Sequence, residues 1–236
     1  MRSNVVRILA VILSGAMLAS FAGCSSSGSK ESSSSRYNQA AGNVPENANV
    51  AEEDMPYGAH VTQLKPETDS NINMWIEFDN RYLKREEDGT YPSVYPINDY
   101  FEAVNKKSGE LMQKAYYPAS LDDILKRAGA DTAEDFMKDY YDIFKDSLGE
   151  DFEFDYIMVD KCIIFDGENT EYGFDVKDDE LKELDPSVID KITERYALDI
   201  DLQYKNSNGD SLLFSNHAGN SLTLYEYKID GKYYIV

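Results

Sequence analysis

Cysteine, histidine and tryptophan are scarce in this chain, numbering two, two and one among 236 residues, and each shortage removes a class of explanation. The cysteines, Cys24 and Cys162, are too few for a disulfide framework or a zinc site, so a folded domain must rest on its core. Histidines stand only at positions 60 and 217, which leaves little scope for a nucleophile paired with an imidazole base. Basic residues are outnumbered, 23 against 44 acidic, for a net charge of −21. So acidic a chain disfavours nucleic acid and an anionic leaflet, and suits a cation, a basic partner or plain solubility. The spacings HExxH, CxxC, GxSxG, the phosphate-binding glycine loop and the EF-hand loop are all missing, and no cofactor or metal is expected. Nor does any apolar run reach the roughly 20 residues that a membrane-crossing helix needs.

What is there begins with an address. Arg2 and Arg7 lead into Ile8–Ala22, an apolar run closed by small residues, which together read as a secretory signal. Phe21-Ala22-Gly23-Cys24 resembles the bacterial lipobox, with Phe21 where an aliphatic is usual. That resemblance implies cleavage after residue 23 and a lipid on Cys24, anchoring the chain outside the cytoplasm on the outer face of the cell membrane. Ordinary secretion with cleavage after Ala22 is the alternative. Residues 24–54 are rich in Ser, Asn, Ala, Gly and Glu, too poor in aliphatics to bury a core, and are expected as a flexible linker with a reach of roughly 30 Å.

Residues 55–95 form an extension with one or two strands, Ile72 to Phe78 being the clearest. Tyr91 to Pro96 reads as an extended lead-in, because residues before proline avoid the helical region. Over 96–236 the period is first helical. Ile97, Tyr100, Phe101 and Val104 share a face, Ser120 and Thr132 open capping boxes, and Gly129 and Gly149 mark helix ends. Then it turns to two: Phe152 to Phe165 is a central strand, with Tyr172 to Val176 as a return strand. Asp185-Pro186 opens a further helix carrying Val188, Ile189, Ile192 and Tyr196 inward. Leu198, Ile200, Leu202 and Tyr204 alternate with polar residues, and turns at Asn208-Gly209, Gly219-Asn220 and Asp230-Gly231 complete a meander. The fold class is α+β, with helices packed on an antiparallel sheet, which the resemblance given next implies to be curved.

Tyr100-Phe101-Glu102-Ala103-Val104, Tyr116-Tyr117-Pro118, the Phe136 to Leu148 helix and the closing run Tyr225 to Tyr234 carry a further likeness. This order is similar to the NTF2-like (cystatin-like α+β, cone-shaped) superfamily, and the ending resembles the tails of small NTF2-like lipoproteins of Gram-positive bacteria. The resemblance implies helices lying in the concave face of the sheet, around a cone that some members use for acid–base chemistry.

Three readings follow. In the first, the cone binds a protein, peptide, wall component or small molecule without turning it over. In the second it is an enzyme of the isomerase or dehydratase type, which needs two polar groups converging in an apolar cavity. In the third the cone is filled and the acidic exterior is the interacting surface. The residues to watch are Asp160 in its apolar strand, Tyr140 and Tyr204 facing it, and His217 at a hairpin tip. Tyrosines at these spacings are also ordinary core and rim residues, and Cys162 reads as a buried small hydrophobe. The acidic runs Glu52-Glu53-Asp54, Glu86-Glu87-Asp88 and Asp178-Asp179-Glu180 read as solvated faces.

Overall fold

The computed structural model describes residues 57–168 and 172–236. The signal, Cys24 and the linker expected at 24–54 lie outside the described residues. Element order is β1 (Val61–Leu64), β2 (Trp75–Asp79), α1 (Tyr95–Lys106), α2 (Gly109–Ala115), α3 (Pro118–Ala128) and α4 (Ala133–Leu148), then β3 (Glu153–Ile164) and α5 (Phe174–Leu184). These lead to β4 (Ile192–Lys205), β5 (Ser211–Leu213), α6 (Phe214–Ala218), β6 (Leu222–Ile229) and β7 (Lys232–Ile235). The fold is α+β, as the periodicities imply.

The strands make one open curved sheet in the order β1-β2-β3-β4-β6-β7, with β5 paired to the far end of β4. The sheet is mixed rather than antiparallel: β2 runs parallel to β3, with Ile76 opposite Ile157. A parallel pair needs a long crossover, and α1 to α4 supply it. β4 is the spine, pairing with β3 along one edge and with β6 and then β5 along the other.

The first helices form for reasons visible locally. Pro96 stands in the first turn of α1, where its missing N–H is not needed. The helix therefore opens at Tyr95, after a 3-10 turn at Pro92–Val94, instead of following an extended lead-in. Asn98 is freed from capping: its side-chain oxygen accepts the Asn73 N–H at 2.8 Å and pins the approach to β2. Pro118 likewise begins α3 two residues before Ser120, and Gly129 ends it in the left-handed region at φ 73°. Thr132 caps α4 by accepting the Asp135 N–H at 3.1 Å. Where α2 starts against α4, only glycine fits, since a Cβ on Gly109 would lie 2.5 Å from the Glu134 backbone nitrogen.

Both faces of the sheet are covered. Phe101 from α1, Met112 from α2 and Met137 from α4 pack against Phe154, Leu198, Ile200 and Leu202. Each such fully buried side chain contributes roughly 1.5–3 kcal/mol. On the opposite face, Phe174 and Leu181 of α5 pack on Ala197, Tyr225, Tyr227 and Ile229.

Three expected elements are different. The segment expected as a helix from Pro186 is a 3-10 turn at Ile189–Lys191 followed by β4. From Ile192 on, β-branched Ile192 and Thr193 suit a strand, and Tyr196 pairs with Ile164 of β3. Conversely, Tyr172 to Val176 is no strand: α5 begins at Phe174 behind a left-handed Gly173 and buries Phe174, Lys177 and Leu181. The expected hairpin tip around His217 is α6, entered where Asp201 accepts both the Ser215 N–H at 2.9 Å and its hydroxyl at 2.6 Å.

Candidate functional site: a groove along the β6 edge

A groove of about 960 Å³ lies where α3 passes around the β7 side of the sheet. The turn before α3 makes that path: Tyr117 N–H donates to the Ile235 carbonyl at 2.9 Å, while Tyr116 bridges Ile235. α3 then reaches α5 on the opposite face. Ser120, Asp123 and Ile124 of α3 form one wall, and the β6 run Leu222 to Tyr225 forms the other. Asp123 is held by Arg127 at 2.7 Å.

The two rims differ in chemistry. On the main-core side the lining is aromatic, from the largely buried Tyr100, Phe136 and Tyr140 and the half-buried Tyr116. Tyr140 stacks on Phe136 with centroids 5.3 Å apart, and Tyr100 meets Tyr116 edge-on at 5.8 Å. The hydroxyls of Tyr100 and Tyr140 are hydrogen-bonded to each other. Burial pushes the Tyr100, Tyr116 and Tyr140 phenols well above their usual range, so they stay neutral and serve as hydrogen-bonding groups rather than bases.

On the α5 side the lining is charged. Lys177 pairs with Glu180 at 2.8 Å, Thr223 donates its hydroxyl to Asp199 at 2.9 Å, and Lys161 lies over the Tyr172 ring at 5.2 Å. Tyr225 donates to the Tyr172 carbonyl at 2.8 Å. That contact depends on Gly173, whose Cβ would meet the Tyr225 hydroxyl oxygen at 2.9 Å.

Of the residues singled out from the sequence, Tyr140 lines this groove; Asp160, Tyr204 and His217 do not. Asp160 is exposed at a register shift between Val159 and Lys161 in β3. Tyr204 is buried in β4 beside Phe154, its phenol pushed up by burial. His217 is exposed in α6. Cys162 is buried, and burial raises its thiol well above the usual range, with Glu226 the next cause. Among the described residues, no group of three or more His, Cys, Asp or Glu is placed to hold a metal ion.

Glu226 was not anticipated. It is 0 % exposed in β6, opposite Tyr196 and Ile235, and neither carboxyl oxygen has a hydrogen-bond partner among the described residues. Burial, with Glu194 adding, holds its proton affinity well above the carboxylate norm. The signal was available in its parity, because it shares the inward face of β6 with Leu222 and Leu224. Nearby, Glu194 accepts from Tyr233 at 2.9 Å and pairs with Lys228 at 3.0 Å, and it also bonds Tyr196.

The chain matches no protein-family model, no curated protein and no solved structure.

Proposed function

We propose that this chain is an extracytoplasmic lipoprotein, anchored through Cys24, whose NTF2-like domain binds a ligand in the groove between α3 and β6 without transforming it. The groove carries the reading. At about 960 Å³ it falls at the upper end of the roughly 300–1,000 Å³ of ligand pockets, and it combines neutral phenols on one rim with charged groups on the other. Tyrosine suits this work, offering apolar area and one hydrogen bond. The non-catalytic part is supported by the chemistry of the aromatic rim, whose phenols are held protonated, and by Asp160 and His217 lying elsewhere. The tether rests on the lipobox-like Phe21-Ala22-Gly23-Cys24 and the serine-rich stretch after it.

Two measurements test the halves separately. Cys24→Ala should move the protein from the membrane fraction to the soluble one; retention in the membrane contradicts the anchor. For the groove, a panel of small aromatic fragments is titrated into isotope-labelled full chain and into Ser221→Trp, which places a ring at the exposed mouth. Shifts at Tyr140 and Leu224 that weaken in the variant support the reading. Shifts confined to other surfaces contradict it.

A further inference from the structure

We infer that the groove's ligand is a free α-amino acid with an apolar side chain, held as a zwitterion between Lys161 and Asp199; this deepens the binding reading above and rests on it. The two residues are register partners, Lys161 of β3 opposite Asp199 of β4, and both line the groove. Cross-strand partners have Cβ atoms roughly 5 Å apart, near enough for opposite charges to meet and stabilise the sheet. The same sheet shows that closed form: Glu194 of β4 and its register partner Lys228 of β6 meet at 3.0 Å.

Lys161 and Asp199 stay apart. Lys161 lies over the Tyr172 ring at 5.2 Å, while Asp199 turns to its β6 partner Thr223, whose hydroxyl one carboxyl oxygen accepts at 2.9 Å. Among the described residues neither forms a salt bridge. Lys161 is exposed, and the second Asp199 oxygen has no hydrogen-bond partner among the described residues. Two opposite charges on adjacent strands, each leaning away from the other, leave a gap with an ammonium on one side and a carboxylate on the other. A ligand of one sign satisfies only one of them. A molecule that carries an ammonium and a carboxylate on the same carbon satisfies both through charge-assisted hydrogen bonds.

The rest of the lining fits the same ligand. Its other charges are closed pairs, Lys177 with Glu180 at 2.8 Å and Arg127 with Asp123 at 2.7 Å, apart from Glu183, which is exposed near the end of α5. The next register row on the same face is apolar: Ile163 lies opposite Ala197, and Ala197 opposite Tyr225. Leu184, 39 % exposed on α5, lines the groove with them. Residues two apart along a strand are separated by about 7 Å, so a leucine- or phenylalanine-sized side chain reaches this row while the charged end stays at Lys161 and Asp199.

The test titrates L-phenylalanine into isotope-labelled full chain, alongside two analogues that each lack one charge, 2-phenylethylamine and 3-phenylpropionate. Phenylalanine should shift the amides of Lys161, Asp199 and Thr223, and each analogue should bind about tenfold more weakly or worse. Asp199→Asn should weaken phenylalanine by a similar factor and leave 3-phenylpropionate unchanged, while Lys161→Gln should weaken phenylalanine and leave 2-phenylethylamine unchanged. An analogue that binds as tightly as phenylalanine overturns the zwitterion, as does phenylalanine that shifts none of the three amides. If phenylalanine and both analogues fail while neutral aromatic fragments still shift Tyr140 and Leu224, the amino-acid inference falls and the groove reading stands. If the fragments fail as well, both fall.

Discussion

Replacing Glu226 by glutamine should make the protein more stable at neutral pH and leave it nearly unchanged at pH 4. Glu226 is fully buried, with both oxygens unpartnered among the described residues, and burial holds its proton on well above the ordinary carboxylate value of 4.5. The folded state therefore takes up a proton at pH values where the unfolded chain has lost it. The sign follows: stability is fully present below pH 4.5 and falls as pH rises toward the raised folded value. At pH 7 this cost is capped by the interval from 4.5 to 7, at about 3 kcal/mol. Glutamine has nearly the same shape and the same unmet neutral polarity, but no proton to take up. The expected gain at pH 7 is up to about 3 kcal/mol, or about 6–12 °C in Tm for a domain of this size. Urea unfolding followed through the fluorescence of Trp75 across pH 4 to 8 measures it. Parallel stability profiles for the two proteins would refute the reasoning, since a carboxyl with an ordinary folded affinity gives no pH-dependent difference.

Gly109→Ala should cost about 1–3 kcal/mol, because its Cβ would sit 2.5 Å from the Glu134 backbone nitrogen and force α2 from α4; thermal unfolding reads this, and a neutral outcome contradicts the close approach. Thr132→Ala should cost about 1 kcal/mol through loss of the α4 cap, while Thr132→Ser should restore most of it in the same assay. Asp201→Ala should destabilise by about 1–3 kcal/mol, by stranding the Ser215 N–H and hydroxyl that it accepts. Hydrogen exchange should show the loosening centred on α6, and uniform loosening of the whole sheet would contradict that placement.

Much of the fold was legible because its signals are local. Thr132 and Gly129 bound their helices through cap chemistry that needs no tertiary context, and the alternation from Leu198 to Tyr204 follows directly from the pleat. The segment from Val188 to Tyr196 misled because its apolar spacing fits a helical stripe while its pairing partner, Ile164, lies about thirty residues away. α5 was missed for the opposite reason: its stripe is only Phe174, Lys177 and Leu181, and a buried lysine stem reads as polar in a sequence. Parallel pairing of β2 with β3 joins segments about eighty residues apart, and no local pattern announces it. The groove was legible only in Tyr140. Its lining is drawn from α1, α3, α4, α5 and β6, segments far apart in the chain, with the turn at Tyr116-Tyr117 against Ile235 carrying α3 across.

The measurement that bears most directly on the central claim is a crystallographic screen of small aromatic fragments, such as phenols and indoles, against the full chain. Fragments are expected between Tyr140 and Leu224, with aromatic faces against the tyrosines and polar atoms toward Thr223. A groove that stays empty while fragments settle on other surfaces would contradict it.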